Sequence, residues 1–239
     1  MTRRRWLADE VRGDKAALTG KHAEHLSRVL RARVGQEFDV SAGGRLRRGR
    51  VVAVGEDRVE FALGEELPAP AEANINVTLL LAIYKFDRME WALEKLTELG
   101  VARVVPVIAR RTDPRLAKAA GKRVERWRRI AQEAAEQSRR LEPPEIQAPT
   151  RLKDAVATAA LTRVVLAESE QSVSLADVVR VHPPGESLVL AVGPEGGWTE
   201  DELRLFAESG WTAASLGRRI LRAETAAIAA MAVVASQLS

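Results

Sequence analysis

Residues 188–198 read LVLAVGPEGGW, five apolar residues followed at once by a glycine-rich turn. Such a continuous apolar run is typical of a strand buried on both faces of a parallel sheet. Glycines directly after the strand let a ligand approach the backbone, and ligands of open α/β sheets bind at this edge. The stretch therefore predicts an α/β domain with a small-molecule site at residues 193–198. The alternative is a tight strand-to-helix connection. A phosphate loop is excluded, because the segment has neither its Lys-Ser/Thr pair nor a Gly-x-Gly-x-x-Gly pattern.

Two other segments place polar residues at predicted strand ends. Residues 216–227 read LGRRILRAETAA and follow a predicted strand at 213–216. Their three arginines within five residues are hard to explain by packing, whereas Glu224 beside a helix start is explained by the helix dipole. The third segment, Leu166-Ala167-Glu168, ends a predicted strand at 163–167. We expect the three strand ends to converge on one pocket.

The rest of residues 74–239 alternates between strand and helix patterns, which predicts a mostly parallel sheet covered by helices. Further strands are predicted at 77–83 and 101–108, and helices at 87–99, 122–141, 199–209 and 224–237. Capping boxes are predicted at the start of two helices, formed by Asp87 with Glu90 and by Thr199 with Glu202.

The first 70 residues have a different pattern. Short β-favouring runs at 38–40, 50–54 and 58–63 are separated by glycine-containing turns, which predicts a small barrel. One helix is predicted at 22–30, with Leu26, Val29 and Leu30 on one face. Residues 65–73 contain the proline and glutamate of a linker. We therefore predict one domain at 1–70 and a second at 74–239.

Composition excludes several classes of function. The chain has no cysteine, which excludes disulfides, thiolate metal sites and thiol nucleophiles, and its three scattered histidines predict no metal site. No apolar run reaches the roughly 18 residues that span a bilayer, and no signal peptide follows Met1, so we expect a cytoplasmic protein. Residues 110–140 hold eleven Arg or Lys against four Asp or Glu, in a chain of net charge +4. This block favours a polyanion partner, with a solvated helix face as the alternative.

The three strand-end segments resemble the cofactor-binding motifs of the SPOUT methyltransferases. Gly-Pro-Glu-Gly-Gly together with Leu-Gly-x-Arg-Ile-Leu-Arg-x-Glu-Thr-Ala is similar to the bacterial RsmE family, which methylates uridine N3 in 16S ribosomal RNA. The resemblance extends over nearly the whole chain, through HLSRVLR at 25–31, KFDRME at 85–90, EKLTELGV at 94–101 and EAAEQSRR at 133–140. Two departures are minor: Trp198 stands where the family commonly has Phe, and Ala223 where it has Thr.

This resemblance implies a fold and a cofactor. The fold is an α/β SPOUT-type domain with a C-terminal deep trefoil knot, preceded by a small PUA-like β-barrel that binds RNA. The cofactor is S-adenosylmethionine, held in a bent form where glycines permit close approach and apolar side chains receive the adenine. The implied cofactor-binding residues are Leu166, Glu168, Gly193, Glu195, Gly196, Gly197, Leu216, Gly217, Ile220 and Leu221.

The implied reaction is an in-line attack of uridine N3 on a sulfonium methyl group. Loss of the N3 proton places negative charge on the uracil carbonyls, which a guanidinium would stabilise. We expect Arg222 or Arg219 in this catalytic role, and Glu195 or Glu168 as proton acceptor or as the residue that orients a neighbouring group. Methylation of pyrimidine C5 through a cysteine adduct is excluded.

Because the target base must be unstacked, RNA needs a second set of contacts. The candidate RNA-binding residues are Arg3, Arg4, Arg5, Arg28, Arg31, Lys85, Arg139 and Arg140. The expected partners are 16S ribosomal RNA, within the small ribosomal subunit, and a second copy of the chain, with no membrane and no metal. The apolar last helix allows a homodimer.

Two other functions are considered. A ribose 2′-O methyltransferase of the same fold is disfavoured because the only asparagines, Asn74 and Asn76, lack the spacing of that group's motif. An RNA-binding assembly factor without catalysis is disfavoured because both cofactor motifs are intact.

Overall fold

The computed structural model describes residues 5–68, 76–183 and 185–238. Two units divide them: one holds residues 5–68 together with Ala135–Glu142, and the other holds residues 76–134 and 143–238. The domain boundary expected between residues 70 and 74 lies outside the described residues, as does Asn74.

The first unit is built on a curled sheet. Its strands are β1 Arg5–Leu7, β2 Glu10–Arg12, β3 Lys15–Thr19, β4 Glu37–Ala42, β5 Arg45–Val54 and β6 Arg58–Glu66, in the order β1-β4-β5-β6-β3-β2. β1 and β2 stand at opposite ends of this order, yet only Ala8 and Asp9 separate them in sequence. The N–H of Ala8 donates to Ser41 on β4 at 2.9 Å, and the N–H of Asp9 donates to Ala17 on β3 at 3.0 Å. The sheet therefore curls until its two ends are joined by consecutive residues.

The helix predicted at 22–30 is present with a different geometry. Helix α1 spans Gly20–Glu24 and continues into a π-helical turn at His25–Val29. Leu26 is buried, but Val29 and Leu30 are 64% and 40% exposed, so the prediction that these three residues share one face is wrong. A π turn bonds residue i to i+5, and the three-and-four spacing of an α-helix no longer keeps residues on one face.

His22 joins two carboxylates within the first unit. Its Nδ1 lies 3.0 Å from Asp9 Oδ1, and its Nε2 lies 3.2 Å from Glu136 Oε1 in the segment Ala135–Glu142. The hydrogen bonds to Asp9 and then to Glu136 raise the pKa of His22 to about 10, against the opposing effect of partial burial. The ring is therefore an imidazolium at neutral pH.

We expect His22→Gln to lower the free energy of unfolding by about 1–3 kcal/mol. The melting temperature should therefore fall, and it should fall most at pH 6.5 and below. The pKa of the folded state is higher than the ordinary 6.5, so the stabilisation is fully present below pH 6.5 and is lost as pH rises through about 10. Thermal unfolding of both proteins from pH 6 to pH 10 measures this, with exposed Lys21→Gln as control. A difference that stays constant over this range would contradict the prediction.

The second unit is built on a parallel sheet. Its strands are β7 Val77–Ala82, β8 Arg103–Ile108, β9 Glu145–Ile146, β10 Thr150–Arg151, β11 Thr162–Leu166, β12 Leu188–Val192 and β13 Thr212–Ala214. Their order is β10-β8-β7-β12-β11-β13, with β9 also on β8, and all these pairings are parallel. β7 and β12 are buried along their whole length, as their apolar sequences predict. The mixed α/β class and the five predicted strands are thus confirmed, although β13 ends two residues early and leaves Leu216 in the loop.

Helices cover both faces of this sheet. They are α2 Phe86–Glu98, α3 Pro114–Ala120, α4 Val124–Gln137, α5 Leu152–Ala155, α6 Leu175–Arg180, α7 Glu200–Glu208 and α8 Ala223–Leu238. One apolar core holds residues of α2, α4, α6 and α8, and the other holds residues of α5 and α7. No helix within the described ranges is long and apolar enough to cross a bilayer.

The first turns of α2 and α7 show whether the two predicted capping boxes form. The box of Thr199 with Glu202 is confirmed in both directions at the start of α7. The box of Asp87 with Glu90 is wrong, because α2 begins at Phe86 and its N-cap is Lys85, which makes no side-chain cap bond. The carboxylate of Glu90 instead accepts a hydrogen bond from Arg126 at 2.7 Å.

Candidate functional site

The carboxyl ends of β11, β12 and β13 meet around one cavity of about 800 Å³ in the second unit. This volume lies within the range of about 300–1,000 Å³ that small-molecule sites occupy. The loop after β11 is bonded to the segment after β13 through Ala167 N–H to Ala214 and Ser215 N–H to Val173, at 3.0 and 2.9 Å. The three segments identified from the sequence therefore line the same cavity and are hydrogen-bonded to one another in part.

The sequence-predicted cofactor residues lie together at this cavity. All ten of them line it, and so does Arg219. Arg222 is exposed and is not among the lining residues, although its neighbours Leu221 and Ala223 are. Glu195 and Glu168, which were considered for both roles, also line the cavity.

Glycine is required at specific points of these loops. Gly197 and Gly217 have φ values of 68° and 108°, a region that L side chains rarely adopt. Gly193 lies against the indole of Trp198, and a Cβ at Gly193 would come 3.2 Å from Trp198 Nε1. Trp198 is fixed from the other side by an edge-to-face contact with Phe206, with ring centroids 5.0 Å apart.

Arg111 is a cavity residue that the sequence reasoning missed. It lies in the loop after β8, and its guanidinium donates hydrogen bonds to the carbonyls of Gly196 and Trp198. The adjacent Arg110 N–H donates to Glu202 Oε1 at 2.7 Å, so the loop after β8 is bonded both to the loop after β12 and to the first turn of α7. One signal for Arg111 was present in the sequence, namely its position just after β8. The carboxyl end of β8 lies at the same edge of the sheet as that of β12, where the site is.

We expect Arg111→Ala to weaken the binding of S-adenosylmethionine about tenfold, because two loop carbonyls lose a charged donor worth about 1.5–3 kcal/mol. Isothermal titration calorimetry measures this affinity. The control is Arg204→Ala, which removes an exposed arginine paired with Asp201 on α7. An unchanged affinity with an intact fold would show that the loop keeps its shape without Arg111.

A charged cluster underlies the Gly193–Trp198 turn. Arg88 on α2 lies 3.2 Å from Glu195 Oε1 and 3.8 Å from Glu224 Oε1 at the start of α8. Glu224 is buried and its Oε2 has no hydrogen-bond partner among the described residues, as is also true of the Tyr84 hydroxyl. Burial, followed by the charges of Glu224 and Glu195, raises the pKa of Tyr84 well above its usual range. Tyr84 therefore stays protonated at physiological pH and cannot serve as a general base.

The candidate RNA-binding residues are distributed over both units. Arg3 and Arg4 lie outside the described residues, and Lys85 is an exposed residue of the second unit. In the first unit, the Arg5 guanidinium donates to the carbonyl of Arg139, and Arg28 pairs with Glu24 at 2.9 Å and with Glu56 at 3.8 Å. Arg31 and Arg139 are exposed. Arg5 and Arg139, far apart in sequence, are thus neighbours.

Comparison with known proteins agrees with this geometry. Residues 71–235 match the family model described as an RNA methyltransferase domain. The chain is 33% identical to ribosomal RNA small subunit methyltransferase E of Bacillus subtilis, covering 92% of this chain and 90% of the relative. It is 35% identical to the Synechocystis protein of the same name, covering 91% of this chain and 71% of the relative.

Solved structures show the same likeness. Ribosomal RNA small subunit methyltransferase E from Neisseria gonorrhoeae, bound to S-adenosylmethionine, superposes with a TM-score of 0.84 at 32% identity, covering 98% of both chains. A methyltransferase from Legionella pneumophila in complex with the same cofactor gives a TM-score of 0.82 at 28% identity, covering 99% of this chain and 98% of the other.

Proposed function

Because the chain belongs to the ribosomal RNA small subunit methyltransferase E family, we propose that it transfers a methyl group from S-adenosylmethionine to N3 of a uridine in 16S ribosomal RNA. The observation that carries the proposal is the convergence of residues 166–171, 193–198 and 214–221 on one cavity at the carboxyl edge of a parallel sheet. Ligands of open α/β sheets bind at this edge.

The cavity suits S-adenosylmethionine in size and in charge. Backbone at Gly193, Gly196 and Gly217 permits close approach, and Leu166, Leu216 and Leu221 offer apolar contact for the adenine ring. The cavity lining carries charges of both signs, as S-adenosylmethionine does, with a sulfonium, an ammonium and a carboxylate; the acidic residues are Glu168, Glu170, Glu195 and Glu200, and the basic ones are Arg111, Arg218 and Arg219. Glu168, Gly197 and Ile220 complete the set of residues assigned to cofactor binding. When bound, the cofactor supplies an electrophilic methyl group.

The remaining chemistry falls to the chain's own residues. Uridine N3 becomes nucleophilic when it loses its proton, and the charge then spreads to the carbonyl oxygens, where Arg219 and Arg222 stabilise it. Glu195 and Glu168 are the candidate proton acceptors. Arg88 engages Glu195 at 3.2 Å, whereas Glu168 is exposed at the cavity, which favours Glu168 as the acceptor and gives Glu195 a role in shaping the loop.

Two finer features of the fold are part of the proposal. The curled sheet of the first unit, with Ala8 and Asp9 bonded to its opposite ends, supports a PUA-like barrel. A C-terminal deep trefoil knot in the second unit is proposed from the resemblance of residues 193–197 and 216–226 to the SPOUT cofactor motifs. An unknotted chain extends to about 3.3–3.6 Å per residue when it is pulled from its two ends. A knotted chain should reach a shorter full length in a single-molecule pulling experiment, because the knot tightens and holds some of its residues.

A homodimer is also proposed. Helix α8 is apolar on all sides, with Glu224 as its only charged residue, yet Ile228, Val233 and Leu238 are only partly buried. An all-round apolar helix is expected to be covered. Light scattering should give twice the monomer mass, and a monomer at micromolar concentration would contradict this. We expect the dimer to act in the cytoplasm on RNA of the small ribosomal subunit, with no metal and no membrane.

The proposed function is tested by nucleoside mass spectrometry. Purified protein, S-adenosylmethionine and 16S ribosomal RNA, either free or in small subunits from cells that lack this protein, should yield 3-methyluridine at one position. A 2′-O-methylated nucleoside would instead establish the ribose methyltransferase. Cofactor binding without any methylation of either substrate would favour the assembly factor.

A further inference from the structure

Two arginines of the first unit adopt a backbone conformation that favours glycine. Arg31 has φ 52° and Arg139 has φ 60°, and within residues 5–68, 76–183 and 185–238 they are the only non-glycine residues with positive φ. A Cβ in this left-handed region meets the neighbouring carbonyl, so such residues are strained. Both side chains are exposed, and packing in the core therefore does not explain why arginine is retained.

Two other helices of the chain show what this position usually requires. At the end of α2, Gly100 N–H donates to Thr97 and Val101 N–H donates to Leu96; at the end of α7, the same bonds run from Gly210 to Ala207 and from Trp211 to Phe206. This cap needs a left-handed residue first, commonly glycine, and often packs an apolar residue next. Both helices follow these preferences, because Val101 and Trp211 are buried.

Helix α4 makes the same cap with other residues. Arg139 N–H donates to Glu136 at 3.2 Å, and Arg140 N–H donates to Ala135 at 2.9 Å, so arginine occupies both positions. Arg31 follows the π turn in a cap that is wider by one residue, with Ala32 N–H donating to Leu26 at 3.0 Å. Neither cap has the residue that its backbone favours.

The cap of α4 is also held in place from the side. The Arg5 guanidinium donates to the Arg139 carbonyl, the Ser41 hydroxyl donates to the Leu141 carbonyl, and His22 pairs with Glu136. Arg5 and Ser41 bind the backbone at and after Arg139, and His22 holds the Glu136 side chain before it. Strain that the surroundings maintain in this way marks functional positions.

We propose that Arg31 and Arg139 are retained at these two caps because their guanidinium groups bind phosphates of the RNA substrate, and that Arg5 is a positioning residue for Arg139. The inference rests on the proposed function, since it assumes an RNA substrate. It separates these three arginines into two that contact phosphate and one whose guanidinium binds the protein backbone.

Replacing each arginine by glycine tests this, because glycine removes the guanidinium and relieves the strain. For Arg139→Gly and Arg31→Gly we expect a melting temperature that is unchanged or higher by about 2 °C. We also expect a dissociation constant for a 16S ribosomal RNA fragment that rises about tenfold, with a salt dependence reduced by about one phosphate contact. The affinity for S-adenosylmethionine should not change. Fluorescence anisotropy at several KCl concentrations measures the RNA binding.

Three further variants complete the test. Arg139→Lys keeps the charge and should keep most of the salt dependence, whereas Arg5→Ala should lower both the melting temperature and the RNA affinity. Arg180→Ala, an exposed arginine of the second unit, is the matched control and should bind RNA normally. A lower melting temperature for the glycine variants, or an unchanged RNA affinity, would overturn the inference. If the wild-type protein neither binds nor methylates 16S ribosomal RNA, the proposed function fails as well; if it methylates while the variants bind normally, only this inference fails.

Discussion

Replacing Arg219 by alanine should lower kcat for RNA methylation by about 10²–10³-fold and leave the affinity for S-adenosylmethionine nearly unchanged. Arg219 is an exposed cation on the wall of the cavity, and in the proposed reaction it stabilises the charge that develops on the uracil anion. A donor that acts only in the transition state changes kcat rather than ground-state binding. Single-turnover methylation of 16S ribosomal RNA and calorimetry with the cofactor measure the two quantities separately.

The neighbouring arginines provide the comparison for this experiment. Arg218 also lines the cavity and is exposed, so Arg218→Ala controls for the general loss of positive charge. Arg222→Ala tests the other arginine that the sequence predicted for this role, which does not line the cavity. A larger loss from Arg222→Ala would transfer the catalytic role to that residue, and full activity in all three variants would refute stabilisation by a guanidinium.

Replacing Gly193 by alanine or valine should weaken the binding of S-adenosylmethionine about 10- to 100-fold. This loss corresponds to the free-energy cost of overpacking, which is about 1–3 kcal/mol. A Cβ there would lie 3.2 Å from Trp198 Nε1 and 3.3 Å from Trp198 Cε2, and the two further methyl groups of Gly193→Val need more space than this Cβ. Equilibrium titration with the cofactor gives the affinity. Gly121→Ala is the control, because nothing lies within 4 Å of its added Cβ.

The contact with Trp198 can be tested on its own. Both close atoms belong to the five-membered ring of the indole, and the ring of phenylalanine would occupy the same place, whereas leucine has no ring there. If the clash causes the loss, Trp198→Leu should restore part of the affinity that Gly193→Ala removes. Equal affinities of the single and double variants would instead assign the loss to the cavity side of Gly193.

The candidate site was largely predictable because its signals are local in sequence. An apolar strand followed by glycines identifies a ligand-binding edge, and in a parallel sheet all such edges coincide; the ten predicted cofactor residues accordingly line one cavity. Arg111 and Arg88 escaped prediction because their partners, such as Gly196 and Glu195, lie about 85 and 107 residues away in sequence. No local pattern reports a pairing that only the tertiary fold creates.

Secondary structure failed where tertiary contacts or rare geometry decided it. Val29 and Leu30 fit an α-helical face, but the π turn rotates them to the surface. Asp87 and Glu90 have the spacing of a capping box, but Arg126 attracts the Glu90 carboxylate away from the helix start. β1, β2 and β3 were missed because each is short and stabilised by its neighbours in the curled sheet rather than by its own composition.

The discontinuous makeup of the first unit has a consequence for how the chain folds during synthesis. Its last strand ends at Glu66, but Ala135–Glu142 also belongs to it. At about 5–20 residues per second, translation of the intervening chain delays this segment by several seconds. During that time the curled sheet of the nascent chain lacks this segment. His22 and Ser41, the partners of Glu136 and Leu141, therefore stay exposed. We expect ribosome-associated chaperones to bind the nascent chain during this interval. A fragment that ends near residue 70 should melt at a lower temperature than the same sheet in the whole protein.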